Sequence, residues 1–268
     1  MLGYHSLPGE VRAQLARVVT AWCGVLGDSL VGAYLHGSIV LNSFTPGVSD
    51  IDLLVISHRR MDRQLRLEAA RIMIELDNQP SPLELSALLD SDIKPWKYPT
   101  PCQFHYSGAW SEKYAQMLRG EIRDHFILDE DFEDRDIGCH ATLTRQRGIA
   151  LCGLPIVDVF PEVPRADFLD SLKYDYDGLS LDAYGAQYLD SNIIGFARIL
   201  SYLELNRIVS KHEAASWALT WLPEEYKALF RNAMESRFEG RAMPEIDRAI
   251  AEGYVAYMRG RIDAAFAA

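Results

Sequence analysis

The sequence predicts an α+β protein, with an N-terminal domain built on a small mixed β-sheet with helices and then an all-α helical bundle. Three observations predict it. Asp50-Ile51-Asp52-Leu53-Leu54-Val55-Ile56 opens on acids and runs into unbroken apolar residues, the pattern of a strand buried on both faces. Around that segment, strand-type and helix-type stretches alternate. After about Pro164 the texture becomes almost continuously helical. The turn and helix-breaking residues Gly153-Leu154-Pro155 and Phe160-Pro161 bracket the change, so the domains are set at 1–157 and 158–268.

In chain order, Val11, Leu15, Val18, Val19 and Trp22 recur at helical spacing and predict an opening amphipathic helix from Pro8 to Leu26. Val31 to His36 is a short β-type run that ends at Gly37-Ser38, where a helix is expected to begin. Thr45-Pro46-Gly47 is a turn signal ahead of the acidic strand. Arg59 to Leu76 carries Leu65, Ala69, Ile72 and Ile74 as a helix, and Pro82 to Leu89 alternates weakly as a third strand. Lys94 to Trp110, rich in proline and aromatics, is expected to be a loop. Asn192–Leu205, Lys211–Leu222, Pro223–Met234 and Met243–Phe266 are expected to be helices. With no internal repeat and no low-complexity tract, solenoid and disordered readings drop out.

Composition narrows the function classes. A hydrophobic content of 49% and a charged content of 24% are ordinary for a globular chain able to form a sizeable core. No apolar stretch reaches the ~20 residues a bilayer span needs. Met1-Leu2-Gly3-Tyr4-His5 lacks a basic region followed by an apolar block, so no secretory signal is expected. Cys23, Cys102, Cys139 and Cys152 are scattered without metal-ligand spacing, which suits reduced thiols in the cytoplasm. The formal net charge of −11 leaves no basic footprint for a nucleic-acid backbone, and no nucleic-acid or membrane partner is expected. An acidic surface attracts cationic small molecules, although it also simply confers solubility.

The chemistry gathers on a few side chains. Asp50 and Asp52 stand at i and i+2 of a strand and project to one side. Two carboxylates ~4 Å apart repel by about 4 kcal/mol in a partly screened site. A divalent cation removes that repulsion, and oxygen ligands of this kind suit Mg²⁺ held together with substrate phosphates. Gly37 lets the chain turn tightly and a phosphate come close, while Ser38 offers a hydroxyl and an amide at a helix start. Gly-Ser is also an ordinary turn pair. Its meaning comes from ending one strand just ahead of an Asp-x-Asp that begins the next. Glu84, between Leu83 and Leu85, is either a solvent-facing strand residue, a third metal ligand or a general base.

Tyr34-Leu35-His36-Gly37-Ser38, the spacing to Ser49-Asp50-Ile51-Asp52-Leu53-Leu54-Val55, and Glu84 beyond resemble the nucleotidyltransferase superfamily. More narrowly, the chain is similar to the aminoglycoside (3″)(9) adenylyltransferases, the streptomycin/spectinomycin resistance enzymes. Asp92-Ile93-Lys94-Pro95-Trp96-Lys97-Tyr98-Pro99 looks like that family's Pro-Trp-Arg-Tyr-Pro stretch, and Gln103-Phe104 with Trp110 like its aromatic substrate loop. Ala150-Leu151-Cys152-Gly153 and Val157, Phe160-Pro161 resemble its domain junction. Ala197-Arg198-Ile199-Leu200, Ser210-Lys211, Trp217-Ala218-Leu219 and Leu222-Pro223 resemble its helical domain. A family asparagine is absent where Gly195-Phe196-Ala197 stands here.

The resemblance implies an N-terminal nucleotidyltransferase domain that passes AMP from ATP to a hydroxyl of a cationic antibiotic, releasing pyrophosphate, with Mg²⁺ as cofactor. It implies that Asp50 and Asp52, with Glu84 as a further candidate ligand, hold the metal. Gly37, Ser38 and Ser49 would cradle the triphosphate, joined by Lys211 and, less directly, Arg198. Glu84 would deprotonate the acceptor. Trp110 would stack on the drug's cationic groups, although a tryptophan also commonly fills a core. The family pairs that tryptophan with acids of the helical domain, for which the region Asp175, Asp177, Asp182 and Asp190 supplies candidates, Asp177 and Asp190 foremost. The chain is expected to be a cytoplasmic monomer. A transferase acting on another hydroxylated small molecule or a protein side chain, and a non-catalytic nucleotide-binding module, are the alternatives. The retained acids speak against the second of these.

Overall fold

The computed structural model describes residues 2–122, 129–183 and 185–268. Its contacts divide the chain into two compact units, Leu2–Ser171 and Leu172–Ala268.

The first unit is a mixed sheet of six strands in the order β5-β4-β3-β2-β1-β6. The elements run α1 (Gly9–Leu26), β1 (Leu30–Leu35), α2 (Gly37–Val40), β2 (Ile51–Ser57), α3 (Arg63–Leu76), β3 (Leu83–Leu89), α4 (Asp90–Ile93), β4 (Thr100–Tyr106), α5 (Gly108–Leu118), β5 (Phe132–Asp134), α6 (Ile137–Arg147), β6 (Ile149–Gly153), α7 (Ile156–Val159) and α8 (Arg165–Gly178). β2 and β3 are parallel, joined through α3, and the other neighbouring pairs are antiparallel. The register sets Ile51 opposite Leu83 and Asp52 opposite Glu84.

Period-2 geometry sorts the strands onto two layers. Ile51, Leu53 and Val55 of β2, with Leu83, Leu85 and Ala87 of β3, join the core that contains Val11, Leu15, Val18 and Trp22 of α1 and Met73 of α3. Leu54, Ile56 and Leu88 point the other way and pack with Tyr34, Ile137, Ala141 and Phe160. Asp52 and Glu84 share this second face, the one covered by α6. A slip of one residue in either strand would turn its carboxylate into the apolar core.

The start of β3 is fixed by buried polar contacts. Gln14 of α1, wholly buried, donates to Leu76 O and Ser81 O (both 2.8 Å) and accepts from Ser81 N (3.1 Å). Asp77, which follows α3, accepts from Leu83 N at 2.8 Å and from the Tyr106 hydroxyl at 3.0 Å.

Lys94–Trp110 departs from the expected loop, since it contains β4 and the first turn of α5. The strand escapes a pattern search because its polar residues are bonded within the fold, Gln103 buried and His105 half-buried. Gln103 donates to Ser57 Oγ at 3.0 Å and accepts from Met61 N at 2.6 Å, and His105 meets Ser86 Oγ at 3.0 Å.

The second unit holds α9 (Leu189–Leu205), α10 (Lys211–Leu219), α11 (Glu224–Glu239) and α12 (Arg248–Ala267), with α9 packed against the other three. α9 buries Ile193, Ile194, Phe196 and Ala197, and the Tyr254 hydroxyl of α12 donates to Ile193 O at 2.7 Å. The last helix begins at Arg248 rather than Met243 because Asp247 caps it, accepting from Ala249 N and Ile250 N.

The units divide later than the expected boundary at 157/158, and within α8. Side chains of residues up to 171 bond to the sheet unit. Trp96 Nε1 donates to Asp167 at 2.9 Å, the Tyr98 hydroxyl to Asp170 at 2.8 Å, and Cys139 N to Ser171 Oγ at 2.9 Å. Among the described residues no helix is long and apolar enough to cross a membrane.

Gln14→Leu keeps the volume of the side chain but strips partners from buried backbone groups, each of which costs about 1–3 kcal/mol when unpaired. Urea unfolding is expected to show a loss of about 3 kcal/mol through a lower midpoint at unchanged slope.

Candidate functional site

The site is built where β1 ends and β2 begins. His36 donates its backbone N–H to Asp52 O at 3.0 Å, so the chain leaving β1 is pinned to the mouth of β2. Gly37 then turns with φ +67°, a conformation that side chains resist. A Cβ at this position would also overlap the Asp52 carboxylate, which lies directly against the glycine. The sequence therefore needs glycine here for two independent reasons.

Beyond the turn, Ser38 O accepts from Ser43 N at 2.9 Å, while the Ser38 hydroxyl is buried and has no hydrogen-bond partner among the described residues. A buried hydroxyl left in that state costs about 1–3 kcal/mol, which a ligand oxygen recovers. Ser49, also buried, accepts from Thr45 N at 3.0 Å and closes the turn that leads into Asp50. Its hydroxyl still has a proton to donate.

Asp50, Asp52 and Glu84 are all partly exposed at the same end of the sheet. Asp52 and Glu84 are register partners on neighbouring parallel strands, and Asp50 is two residues before Asp52. Among the described residues no three His, Cys, Asp or Glu side chains form a metal-binding group. The carboxylates therefore do not make a closed cage, and a Mg²⁺ ion suits them only as an open site completed by oxygens of a phosphate substrate. The Ser38 hydroxyl, without a hydrogen-bond partner among the described residues, fits such a substrate.

Three histidines missed by sequence reasoning lie on the same face. His36, 3% exposed, packs its ring against that of His140 of α6, with centroids 4.9 Å apart and planes tilted by 37°. His105 of β4 sits opposite Ser86, which is two residues beyond Glu84, and bonds to its hydroxyl. Burial, and then His140, hold His36 protonation well below the ordinary imidazole range. Burial, aided by His140 against the opposing pull of Asp134, holds His105 down to about 4. His36 and His105, behind the carboxylates, are therefore uncharged near neutrality. His36 was visible inside the Tyr34–Ser38 motif, but nothing in the sequence linked it to His140.

The other expected site residues lie as follows. Trp110 is half-buried in the first turn of α5, at the sheet end that carries Glu84, packed against the α1–α3 core. The Lys113 ammonium sits 5.0 Å from the centre of its ring. In the helical unit, Lys211 is the first residue of α10, follows the Ser210 cap, and donates to Ser191 Oγ at 2.7 Å. Arg198 reaches Asp175 at 3.5 Å. Asp177 is exposed and pairs with Lys173 at 2.7 Å. Asp190 is buried, accepting from Ser191 N and, at 2.8 Å, from the Ser236 hydroxyl. Such a carboxylate anchors the start of α9.

Comparison with known proteins agrees with this geometry. A family model described as nucleotidyltransferase domain matches residues 24–104, and one described as aminoglycoside adenylyltransferase, C-terminal domain, matches residues 158–261. A spectinomycin 9-adenylyltransferase of Campylobacter jejuni is 26% identical over 261 residues, covering 95% of this chain and 96% of its own. A spectinomycin 9-adenylyltransferase of Staphylococcus aureus is 28% identical over 246 residues, covering 87% and 90%. An aminoglycoside (3″)(9) adenylyltransferase of Escherichia coli is 27% identical over 262 residues, covering 94% and 95%. The crystal structure of a spectinomycin adenyltransferase from Enterococcus faecialis with ATP and spectinomycin has the same fold, with a TM-score of 0.80 at 17% identity over 94% of this chain and 99% of that one.

Gly37→Ala is expected to fold with a lowered melting temperature and to lose nucleotide binding, because the methyl group and the Asp52 carboxylate claim one volume; a thermal melt and a titration with ATP check both. A second expectation concerns pH. Above about 6.5, where an unfolded imidazole is also neutral, the stability tied to His105 is fully present. As pH falls from there toward about 4, the unfolded chain takes up a proton that the folded His105 refuses, so stability declines. Urea melts across this window are expected to show that decline, and His105→Gln to flatten part of it.

Proposed function

By both of its domains the chain belongs to the aminoglycoside adenylyltransferases of the nucleotidyltransferase superfamily, and from that footing we propose that it transfers AMP from ATP to a hydroxyl of an aminoglycoside or aminocyclitol antibiotic, spectinomycin or streptomycin, so conferring resistance. The observation that carries the reading is the Asp52–Glu84 register pair, set on one sheet face beneath a glycine turn that the Asp52 carboxylate itself shapes.

In this reading Asp50 and Asp52 hold Mg²⁺, with Glu84 beside them. When bound, the ion supplies neutralising charge for the phosphates. The Ser38 hydroxyl donates to a phosphate oxygen and recovers the bond it lacks, and Ser49 donates the proton its turn leaves unused. Glu84 takes the proton of the acceptor hydroxyl as that oxygen bonds to the α-phosphorus and pyrophosphate departs. Lys211 and Arg198 are proposed as cations for the triphosphate. Trp110 is proposed as the aromatic contact of the acceptor, an indole face being attractive to ammonium and guanidinium groups. Of the two acids singled out in the helical unit, exposed Asp177 suits a cationic acceptor better than the buried anchor Asp190.

Pyrophosphate release is measured with ATP, Mg²⁺ and a panel of spectinomycin, streptomycin and other hydroxylated drugs. Release that depends on spectinomycin or streptomycin is expected, and its absence with every drug refutes the reading. Asp50→Asn is expected to abolish turnover. Glu84→Gln is expected to bind ATP normally while transfer falls by roughly a thousandfold, the scale of a lost general base.

A further inference from the structure

The turn that carries Gly37 and Ser38 is pinned on one side by β2, through the His36 N–H and the Asp52 carboxylate. On its other side the His36 ring meets His140, from a helix far along the chain. α6 also packs against α2, the short helix that Gly37 and Ser38 begin. His140 is close enough to His105 to oppose its protonation, and His105 bonds to Ser86 on the strand of Glu84. His140 thus meets the glycine-serine turn through the His36 ring and the packing of its helix on α2.

We propose that His140 is the positioning residue of this site, its imidazole packing against the His36 ring and holding the Gly37-Ser38 turn in the place from which Ser38 meets a nucleotide phosphate. The inference rests on the nucleotidyl-transfer reading and adds to it a residue that contacts neither nucleotide nor acceptor. Without that ring, the gap beside His36 gives the turn alternative positions. The apparent affinity for nucleotide then falls by the fraction of molecules whose turn is misplaced. An aromatic pair is worth up to about tenfold in an equilibrium constant, which sets the scale of the effect.

The test compares the full-length wild type with His140→Ala, His140→Phe and His140→Gln, using ATP with Mg²⁺ as the probe in calorimetric titrations and spectinomycin-dependent pyrophosphate release for steady-state constants. His140→Ala is expected to weaken ATP binding by roughly tenfold and to raise KM for ATP equally, with KM for the acceptor unchanged. His140→Phe, which retains a ring to pack there, is expected to recover most of the loss, and His140→Gln little of it. ATP binding by His140→Ala equal to that of wild type overturns the proposal, as does a folded His140→Phe as weak as His140→Ala. Equal losses for ATP and acceptor overturn it too, because a general loosening of the fold would do that. Should His140→Ala not fold, the contrast between the Phe and Gln variants decides. A wild type that binds no ATP overturns the nucleotidyl-transfer reading itself, a result separate from the others.

Discussion

The site depends on the contact between the backbone of Gly37 and the carboxylate of Asp52. It joins two features that share no sequence neighbourhood, a turn that leaves one strand and an acid that begins the next. The His36 N–H on Asp52 O closes the joint from the backbone side. With the hydrogen bond and the close contact in place, the orientation of the Asp52 carboxylate and the path of the turn are one variable. A ligand that binds across them meets a surface already formed and loses little affinity to ordering.

The same economy governs the other acid. Glu84 is correctly placed only if β3 pairs with β2 in parallel at one register, because a slip of one residue would bury the carboxylate among Leu83, Leu85 and Ala87 in the layer beneath α1 and α3. Apolar burial sets that register along the strand, while Asp77 and Gln14 fix where the strand begins. Both polar anchors are buried, so an alternative register would strand their partners without water. The chemistry at the open end is thus specified by hydrogen bonds at a loop that takes no part in it.

Much of this was legible in the sequence. Gly37-Ser38, the Asp-x-Asp and the apolar run after it place β2 correctly, because an uninterrupted β-type stretch between turn signals has few other meanings. The opening helix was equally plain, and β3 was read from a weaker alternation. β4 was hidden because Gln103 and His105 are polar residues inside the fold, each with a partner that a periodicity argument cannot see. His140 was hidden for a different reason: its helix, Ile137–Arg147, is amphipathic only weakly, and its contact with His36 spans about a hundred residues. Trp96, Tyr98 and Cys139 join residues 167–171 to the sheet unit through hydrogen bonds that leave no compositional trace.

The acids of the helical unit show how far charge alone carries an argument about the acceptor. Asp175, Asp177 and Asp182 are matched by Arg198, Lys173 and Arg248, and Asp190 is committed to Ser191 and Ser236. The net charge of −11 therefore acts on a distant cation mainly as a summed field, one that salt weakens. At contact, the question becomes one of exchange. An exposed ion pair is worth about 0–1 kcal/mol, so a drug ammonium can replace the lysine on Asp177 or the arginine on Asp182 at little loss. Asp190 offers no such exchange: withdrawing its buried carboxylate would leave the Ser191 amide and the Ser236 hydroxyl without their acceptor. Charge of this kind attracts cations alike and by itself does not distinguish one cationic acceptor from another.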